Sequence, residues 1–485
     1  MPTPTPARDP RATVYAALVA LLALAGLDQT LLSTALPLIA ADVHGESLLP
    51  WVFSAYLVAS TIAIPLYGKL ADRLGPRPLL VVAGGLFVAG SLACAASPAI
   101  EALIAARALQ GLGGGGLMTL TLLSVAALYT PEERASRQGL LGAAYGIATM
   151  VGPLLGGLLV QHLSWRWALV LNAPAALLAL TVLLRARFGS GAAQAHRLDL
   201  AGAALLASAL VCLLLATRSG IAGTAGGWSL ALIGVMLLLG FATVERRAAD
   251  PLLPLALFRD AGFSAAALLS VGSGVALFAA VVFLPLYLQG GLRQTPTASA
   301  LHLLPLMLGL TAASRWCGRA LRSGASVRAL AGGGALAMAA GFCALVAALH
   351  WLPASGWAFP LAVLPLGLGL GLLFPVLTVV SQRSAEPRHI GVATATPMML
   401  RALGGAAGVS LLGSVLAQGL PAALRAHPGD RVLALAEPLQ AVFALAAAAA
   451  LAALLAARWL PRRLPAPQRV QGQGMTLSPL TKSVV

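Results

Sequence analysis

The sequence predicts an all-α protein embedded in a lipid bilayer, and its composition and apolar runs both lead there. Apolar residues make up 59% of the 485 residues, whereas only 9% are charged, and the mean hydropathy is +0.89. Soluble domains carry about 25% charged residues, so this chain has too few charges to cover a soluble surface. Uninterrupted apolar runs, such as residues 201–216 and 441–457, are typical of spanning helices and lack the alternation of a membrane β-barrel.

Fourteen spans are predicted when Gly, Pro and charged residues are taken as boundaries of the apolar segments. They cover residues 13–41, 50–70, 79–98, 100–128, 137–161, 166–185, 199–217, 228–244, 262–289, 299–317, 328–349, 357–380, 391–419 and 437–459. The first six and the last six spans form two predicted six-helix bundles, joined by an inserted two-helix segment. Paired six-helix halves are typical of transporters in which access to a central site alternates.

The predicted domain boundaries follow from this grouping. They are a cytoplasmic N-tail at 1–12, the N-terminal bundle at 13–187, the inserted segment with its connectors at 188–261, the C-terminal bundle at 262–460 and a tail at 461–485. The last of these has no apolar period, so we expect it to be disordered.

The formal net charge of +16 would indicate a nucleic-acid partner in a soluble protein, but the positions of the charges give another explanation. Most of the 31 Lys and Arg residues fall in the two tails and in the alternate loops on the same side. This bias is the positive-inside rule, and an even number of spans then places both termini in the cytoplasm. We therefore expect a multi-pass inner (plasma) membrane protein of a bacterium, surrounded by lipid, with no nucleic-acid partner.

Ionisable residues inside predicted spans are the strongest functional signal, because a charge at a helix centre costs roughly 2.5–3.5 kcal/mol on insertion scales. Asp28, in the first span, is the only carboxylate deep in a predicted span, and Arg107 in the fourth span is its candidate partner. Burial lets a carboxylate take up and release a proton in the working pH range. We predict that these two residues couple transport to protons; the alternative is a structural ion pair or a polar cluster at a helix kink.

A third buried charge, Arg401, lies in the thirteenth span without an obvious carboxylate partner in a neighbouring span. Either it faces a central cavity and contacts substrate or an anion, or it hydrogen-bonds to backbone carbonyls freed by the surrounding glycines. The sequence leaves both interpretations open. The other candidate cavity-lining residues are Thr30, Thr34 and Gln110.

The loop after the second span reads GKLADRLGPRPLL, residues 68–80, and resembles the signature loop of the major facilitator superfamily. In that family the loop is a cytoplasmic gate. Glycines at both ends of the motif are expected to permit a tight reversal, and its Asp is expected to complement a nearby helix N-terminus. The resemblance implies gate roles for Gly68, Asp72, Arg73, Gly75 and Arg77.

Two departures from the family pattern concern this gate. Pro76 and Pro78 stand where basic residues are usual, which removes part of the expected charge network. The second half should carry a weaker copy of the loop, but residues 318–324 are one residue short and lack the Asp. We therefore expect an asymmetric gate dominated by the N-terminal half.

Two further stretches resemble narrower motifs of the same superfamily. GIATMVGPLLGG, residues 146–157, is similar to a fifth-helix motif associated with antiporters, although an ordinary small-residue packing face is the alternative. LDQTLLSTALP, residues 27–37, is similar to the first-helix motif of the fourteen-span drug:proton antiporters and places Asp28 on its acidic position. The first match implies a hinge formed by Gly146, Gly152, Pro153, Gly156 and Gly157.

The resemblance extends from the first to the fourteenth span and implies the major facilitator fold. It implies a secondary active transporter that exports lipophilic or amphipathic small molecules in exchange for protons by alternating access. We expect a monomer that uses protons as coupling ion and no other cofactor; whether a periplasmic adaptor takes part is left open. The alternatives are a proton-coupled metabolite symporter on the same fold and, more remotely, a non-transporting membrane sensor or scaffold.

Enzymatic and ATP-driven functions are not expected. The His and Cys residues lie apart from one another without metal-ligand spacing, so no metal site and no nucleophile–base grouping is predicted. The phosphate-binding sequence G-x-x-x-x-G-K-[ST] does not occur, which removes the usual nucleotide-binding loop.

Overall fold

The computed structural model is helical, with no β-strand among the residues that it describes. Those residues are 10–31, 39, 42, 49–186, 188, 199–216, 225–248, 251, 253, 255–386 and 389–463. The helices are α1 (Pro10–Leu31), α2 (Leu49–Leu74), α3 (Pro76–Ala95), α4 (Ile100–Leu128), α5 (Pro131–His162), α6 (Trp165–Val170), α7 (Asn172–Arg185), α8 (Leu200–Ala216), α9 (Ala225–Arg247), α10 (Ala261–Gly290), α11 (Pro296–Leu301), α12 (Leu304–Arg322), α13 (Val327–Trp351), α14 (Ala358–Arg383), α15 (Ile390–Ala426) and α16 (Arg431–Ala457), with a 3₁₀ helix at Leu255–Arg259.

The helices follow the predicted spans, with two exceptions: one span is interrupted and one is displaced. In the described part of the chain, 10 helical segments are long and apolar enough to cross a membrane; α2, α5, α8 and α12 occupy the other four predicted positions. The sixth span consists of α6 and α7, which meet at Leu171. The span predicted at 299–317 is displaced to α12, because Pro305 in the first turn of that helix favours a new helix start.

Each half has its own buried core. In the N-terminal half α4 packs against both α2 and α3, and its glycine run makes this possible. The glycines at 111, 114 and 115 face α2, Gly113 faces α3 and Gly116 lies against both, and a methyl group at any of them would overlap a neighbour. The C-terminal core contains several fully buried aromatic side chains from four helices, namely Tyr287, Phe342, Phe359 and Phe443.

The inserted helices α8 and α9 pack against each other, and α8 also contacts α2. Most of α9 is exposed, with large side chains such as Trp228, Leu232 and Met236 on its surface. A stripe of exposed apolar side chains on a spanning helix is what lipid contact requires.

Two helix pairs make most of the contacts between the halves among the described residues: α5 packs against α12, and α2 packs against α15. Both pairs combine one helix from each six-helix bundle. Between them the halves enclose the cavity described next.

Candidate functional site

A cavity of about 280 Å³ lies between the two halves. Helices α1, α2, α4 and α5 line it from one side, and α10, α12, α14 and α15 from the other. Its wall is mostly apolar, as is usual for sites that bind drug-sized molecules. The polar side chains in the wall are Gln29, Thr30, Ser60, Thr61, Gln138, Tyr145, Thr149, Ser314, Thr378 and Arg401.

Arg401 faces this cavity. Its guanidinium carbon lies 4.2 Å from the ring centroid of Phe374, in a cation–π contact. Among the described residues it has no hydrogen bond or ion pair. The predicted alternative, in which Arg401 bonds to freed backbone carbonyls, is therefore not observed there. The neighbouring glycines instead allow close helix packing: a methyl group at Gly404 would overlap the backbone of Val271 in α10.

The other predicted cavity-lining residues divide into three cases. Thr30 lines the cavity, and its hydroxyl donates to the Thr149 carbonyl oxygen at 2.6 Å. Thr34 lies outside the described residues. The placement of Gln110 in the cavity wall is wrong: this side chain is fully buried in the N-terminal half, where it bonds to Asp28.

Asp28 and Arg107 meet in a buried polar cluster within the N-terminal half. Arg107 Nη1 lies 2.6 Å from Asp28 Oδ2, and neither side chain is exposed. Gln110 Nε2 and Asn172 Nδ2 each donate to Asp28 Oδ1 at 2.8 Å. The carboxylate therefore accepts three hydrogen bonds, one of them from a cation.

Arg107 has further contacts that fix its orientation. Its Nε donates to the Val52 carbonyl oxygen at 3.2 Å, and its Nη1 also donates to Gln110 Oε1 at 2.5 Å. The guanidinium carbon lies 4.4 Å from the ring centroid of Tyr56. Arg107 Nη2 and the Tyr56 hydroxyl are buried without a hydrogen-bond partner in the described part of the chain, so the cluster is not fully satisfied.

Three members of this cluster were not among the predicted site residues: Asn172, Tyr56 and Ser91. Ser91 accepts from Gln110 Nε2 at 2.6 Å, which links α3 to the cluster. Asn172 stands at the first position of α7, directly after Leu171, where α6 and α7 meet, and its amide donates to Asp28 from there. One sequence signal existed, because Asn172 is the only amide side chain in the predicted span 166–185.

The cluster and the cavity are adjacent but separate. Asp28 is absent from the cavity wall, whereas the next two residues of α1, Gln29 and Thr30, belong to it. Gln29 Oε1 accepts a hydrogen bond from the Tyr145 hydroxyl at 2.6 Å. Helix α1 thus carries the carboxylate on one face and cavity-lining groups on another, so a movement of α1 affects both.

At the end of α2, the Asp72 carboxylate reaches across to the other half. Its Oδ1 accepts from the Gly391 amide at 2.6 Å, and its Oδ2 accepts from the Val392 amide at 3.3 Å. Both donors are free amides at the N-terminus of α15, where a carboxylate is favoured. Burial raises the pKa of Asp72 to about 7, against the lowering effect of these two hydrogen bonds.

The remaining residues of the signature loop occupy two helices and the turn between them. Gly75 has φ 77°, a conformation that favours glycine. The expectation that Gly68 also forms the reversal is wrong, because α2 remains helical to Leu74 and Gly68 is a point of close contact with α15. Arg77 donates to the Leu183 and Leu184 carbonyl oxygens at the end of α7, and Arg73 is half-buried near the end of α2.

The predicted hinge residues all lie in α5, which is helical from Pro131 to His162. A methyl group at Gly146 would lie 3.0 Å from Met307 Sδ in α12, and one at Gly152 would lie 2.9 Å from the Leu27 carbonyl oxygen in α1. Gly156 is buried, and Pro153 and Gly157 lie within the same helix. The motif therefore places α5 in close contact with α1 of its own half and with α12 of the other.

Comparison with known proteins agrees with this architecture. The family model of the Major Facilitator Superfamily matches residues 18–409. Multidrug transporter protein MdtP of Bacillus subtilis (strain 168) is 33% identical over 414 residues, which are 84% of this chain and 75% of that protein. Puromycin resistance protein pur8 of Streptomyces alboniger is 35% identical over 423 residues, or 83% and 81% of the two chains.

A solved structure of the proton:xylose symporter XylE superposes with a TM-score of 0.63 at 17% identity, over 90% of this chain and 94% of that one. At this identity the likeness concerns the fold alone. The two helical halves, the cavity between them and the sequence matches all agree, and the chain belongs to the major facilitator superfamily.

Proposed function

We propose that this protein is a secondary active transporter that exports lipophilic or amphipathic small molecules in exchange for protons. Two sequence relatives that cover most of the chain are named for multidrug transport and for puromycin resistance. The mostly apolar cavity between the halves is consistent with substrates of this kind. We place the protein in the bacterial plasma membrane as a monomer, with both termini in the cytoplasm.

The observation that carries proton coupling is the position of Asp28, buried against Arg107 and one residue from the cavity wall. When Asp28 is ionised, it balances the charge of Arg107 and accepts three hydrogen bonds. Protonation removes that balance and leaves a buried cation, which is strongly unfavourable. A movement of α1 relative to α4 then lowers the free energy of the N-terminal half, and Gln29 and Thr30 move with α1.

In this proposal the movement of α1 is transmitted to the contacts between the halves. Helix α1 packs against α5, which in turn packs against α12 of the other half. The Asp72 contact with α15 holds the second helix pair together at one end of the cavity. In this proposal proton uptake by Asp28 and release of the Asp72 contact are steps of one alternating-access cycle, with the glycines of α5 allowing the sliding of helices.

Transport into everted membrane vesicles tests the proposal. Respiration acidifies the vesicle lumen, so a proton antiporter should accumulate lipophilic fluorescent compounds in the lumen, and a protonophore should stop accumulation. A metabolite symporter would instead move its substrate out of the lumen together with protons. Accumulation that persists without a proton gradient and requires added ATP would contradict the proposal.

A further inference from the structure

Among the described residues, a single side chain gives the cavity wall its charge. Of the described residues that line the cavity, Arg401 is the only one with a charged side chain, and no carboxylate is among them. The nearby carboxylate of Asp28 is directed into its own cluster with Arg107, Gln110 and Asn172. A molecule in this cavity therefore meets one positive charge without a compensating negative one.

The Arg401 side chain is held in place by its surroundings. Its guanidinium carbon lies over the Phe374 ring, 4.2 Å from the ring centroid. The backbone at Arg401 packs closely against Gly274 of α10, where a methyl group would overlap the Arg401 carbonyl. Stacking on an aromatic ring leaves the N–H edge of a guanidinium available, and that edge matches a carboxylate or phosphate with two parallel hydrogen bonds.

The rest of the wall supplies contacts for an apolar body. Aliphatic and aromatic side chains from both halves line the same cavity as Arg401, among them Met118, Leu277, Phe278 and Met307. Attraction between unlike charges is stronger beside such low-dielectric surfaces than in water, and so is the repulsion of a cation. The cavity thus combines an apolar wall with one fixed site for an anionic group.

We propose that this transporter prefers substrates in which a lipophilic body carries one anionic group, such as a carboxylate or sulfonate, and that Arg401 binds that group. The inference rests on the proposed function, because it names the substrate class of the same cavity. It also predicts that lipophilic cations of equal size bind more weakly than neutral analogues.

Three dansyl compounds that share one fluorophore test this preference: dansylglycine, which is anionic, dansylamide, which is neutral, and dansylcadaverine, which is cationic. Binding to the purified full-length protein in lipid nanodiscs is followed by the fluorescence of the dansyl group. We expect dansylglycine to bind at least about tenfold more tightly than dansylcadaverine, with dansylamide between them. Arg401→Gln should weaken dansylglycine binding about tenfold and change dansylamide binding less than about twofold.

Two further variants separate charge recognition from folding. Arg401→Lys keeps the positive charge without the planar stacking group, so it should retain part of the preference for dansylglycine even if Arg401→Gln does not fold. Arg425→Gln removes an exposed Arg of the same helix, which donates to the Pro421 carbonyl oxygen of its own turn, and should bind all three compounds as the wild type does.

Equal or tighter binding of dansylcadaverine by the wild type would overturn the inference, as would an equal loss of all three compounds in a folded Arg401→Gln protein. Failure of the proposed function gives a different result. In that case the order of binding holds, but none of the three compounds accumulates in everted vesicles that maintain a proton gradient.

Discussion

Gly68 in α2 and Gly391 in α15 approach so closely that neither position has room for a methyl group. A Cβ atom at Gly68 would lie 2.7 Å from the Ala395 Cβ atom and 2.8 Å from the Gly391 carbonyl oxygen. A Cβ atom at Gly391 would lie 2.7 Å from Asp72 Oδ1. Because the two helices belong to opposite halves, this contact and the Asp72 hydrogen bonds hold the halves together at the same end of the cavity.

The first prediction is that Gly68→Ala shifts the protein toward separation of α2 from α15. Overpacking of this size costs typically 1–3 kcal/mol, and the cost falls only on the state in which the helices touch. Spin labels at exposed positions 74 and 386 would report the distance by pulsed electron paramagnetic resonance, after the accessible Cys212 and Cys343 are replaced.

The matched control for this variant is Gly85→Ala in α3, where an added methyl group meets no atom within 4 Å. It should leave both the label distance and the transport rate as in the wild type. If Gly68→Ala gives the wild-type distance distribution, the close contact does not control the separation of the halves.

The second prediction concerns the pH dependence of the same contact. Burial raises the pKa of Asp72 to about 7 in the closed arrangement, whereas a solvent-exposed Asp titrates near 3.9. The closed arrangement therefore binds more protons between these two values, so linkage requires its stability to fall as pH rises. The closed fraction should increase as pH falls from about 7.5 toward 4, measured with the same pair of labels.

Asp72→Asn is the control, because it keeps an oxygen that accepts from the Gly391 amide but cannot titrate. Its closed fraction should lose the increase at low pH that Asp72 causes, so that the remaining pH dependence comes from Asp28. Turnover of every substrate should fall alike while equilibrium binding is retained. Loss of transport for one substrate alone would assign Asp72 to substrate recognition and contradict a gate role.

Much of the fold could be predicted from the sequence, because spanning helices depend on the length and apolarity of local segments. The positions of helix starts were less predictable, because the junction of α6 and α7 at Leu171 and the start of α12 beside Pro305 both lie within apolar runs. The extent of α2 was also not predicted, since the sequence does not distinguish Gly68, inside the helix, from Gly75, in the turn after it. Only Gly75 has a positive φ. The close packing at Gly68 depends on α15, a helix more than 300 residues away in the chain, to which Asp72 also bonds.

The candidate site was predictable in part, for physical reasons that differ between residues. Arg107 could be named as the candidate partner of Asp28 because a buried carboxylate is stabilised by a nearby cation, but the contact itself depends on how α1 and α4 pack. Gln110 stands three residues after Arg107, and residues at this spacing share a helix face, so it could have been assigned to the cluster. Tertiary packing decides which face of α4 meets α1 and places Arg401 at the cavity. Neither feature is encoded in local residue spacing.

The third prediction is that Asn172→Leu destabilises the N-terminal half. The substitution removes one of the three donors to the Asp28 carboxylate, and a missing partner for a buried polar group costs about 1–3 kcal/mol. The midpoint of thermal unfolding, followed by tryptophan fluorescence, should fall. Thr181→Val changes an exposed residue of the same helix whose hydroxyl donates to the Leu178 carbonyl oxygen of its own turn, and should leave the midpoint unchanged. Equal midpoints for wild type and Asn172→Leu would mean that the cluster does not need this donor.

The last prediction is that Asp28→Asn abolishes proton coupling. In an antiporter the substrate favours the deprotonated carboxylate, and because linkage is reciprocal, substrate binding releases protons. Wild-type affinity should therefore fall as pH is lowered, by up to about tenfold per pH unit for one proton. In Asp28→Asn the affinity should be nearly independent of pH, the proton release measured with a pH-sensitive dye in weakly buffered solution should vanish, and concentrative efflux should be lost.

Asp28→Asn alone also leaves Arg107 as a buried cation without its counter-charge, which costs about 3–5 kcal/mol. The double variant Asp28→Asn/Arg107→Gln removes that charge as well, so it should recover most of the lost stability while proton release and uphill transport remain absent. This comparison separates a coupling role from a structural one. If either variant still releases protons on substrate binding and drives uphill transport, the proton is carried elsewhere and the Asp28 cluster serves only to hold α1, α4 and α7 together.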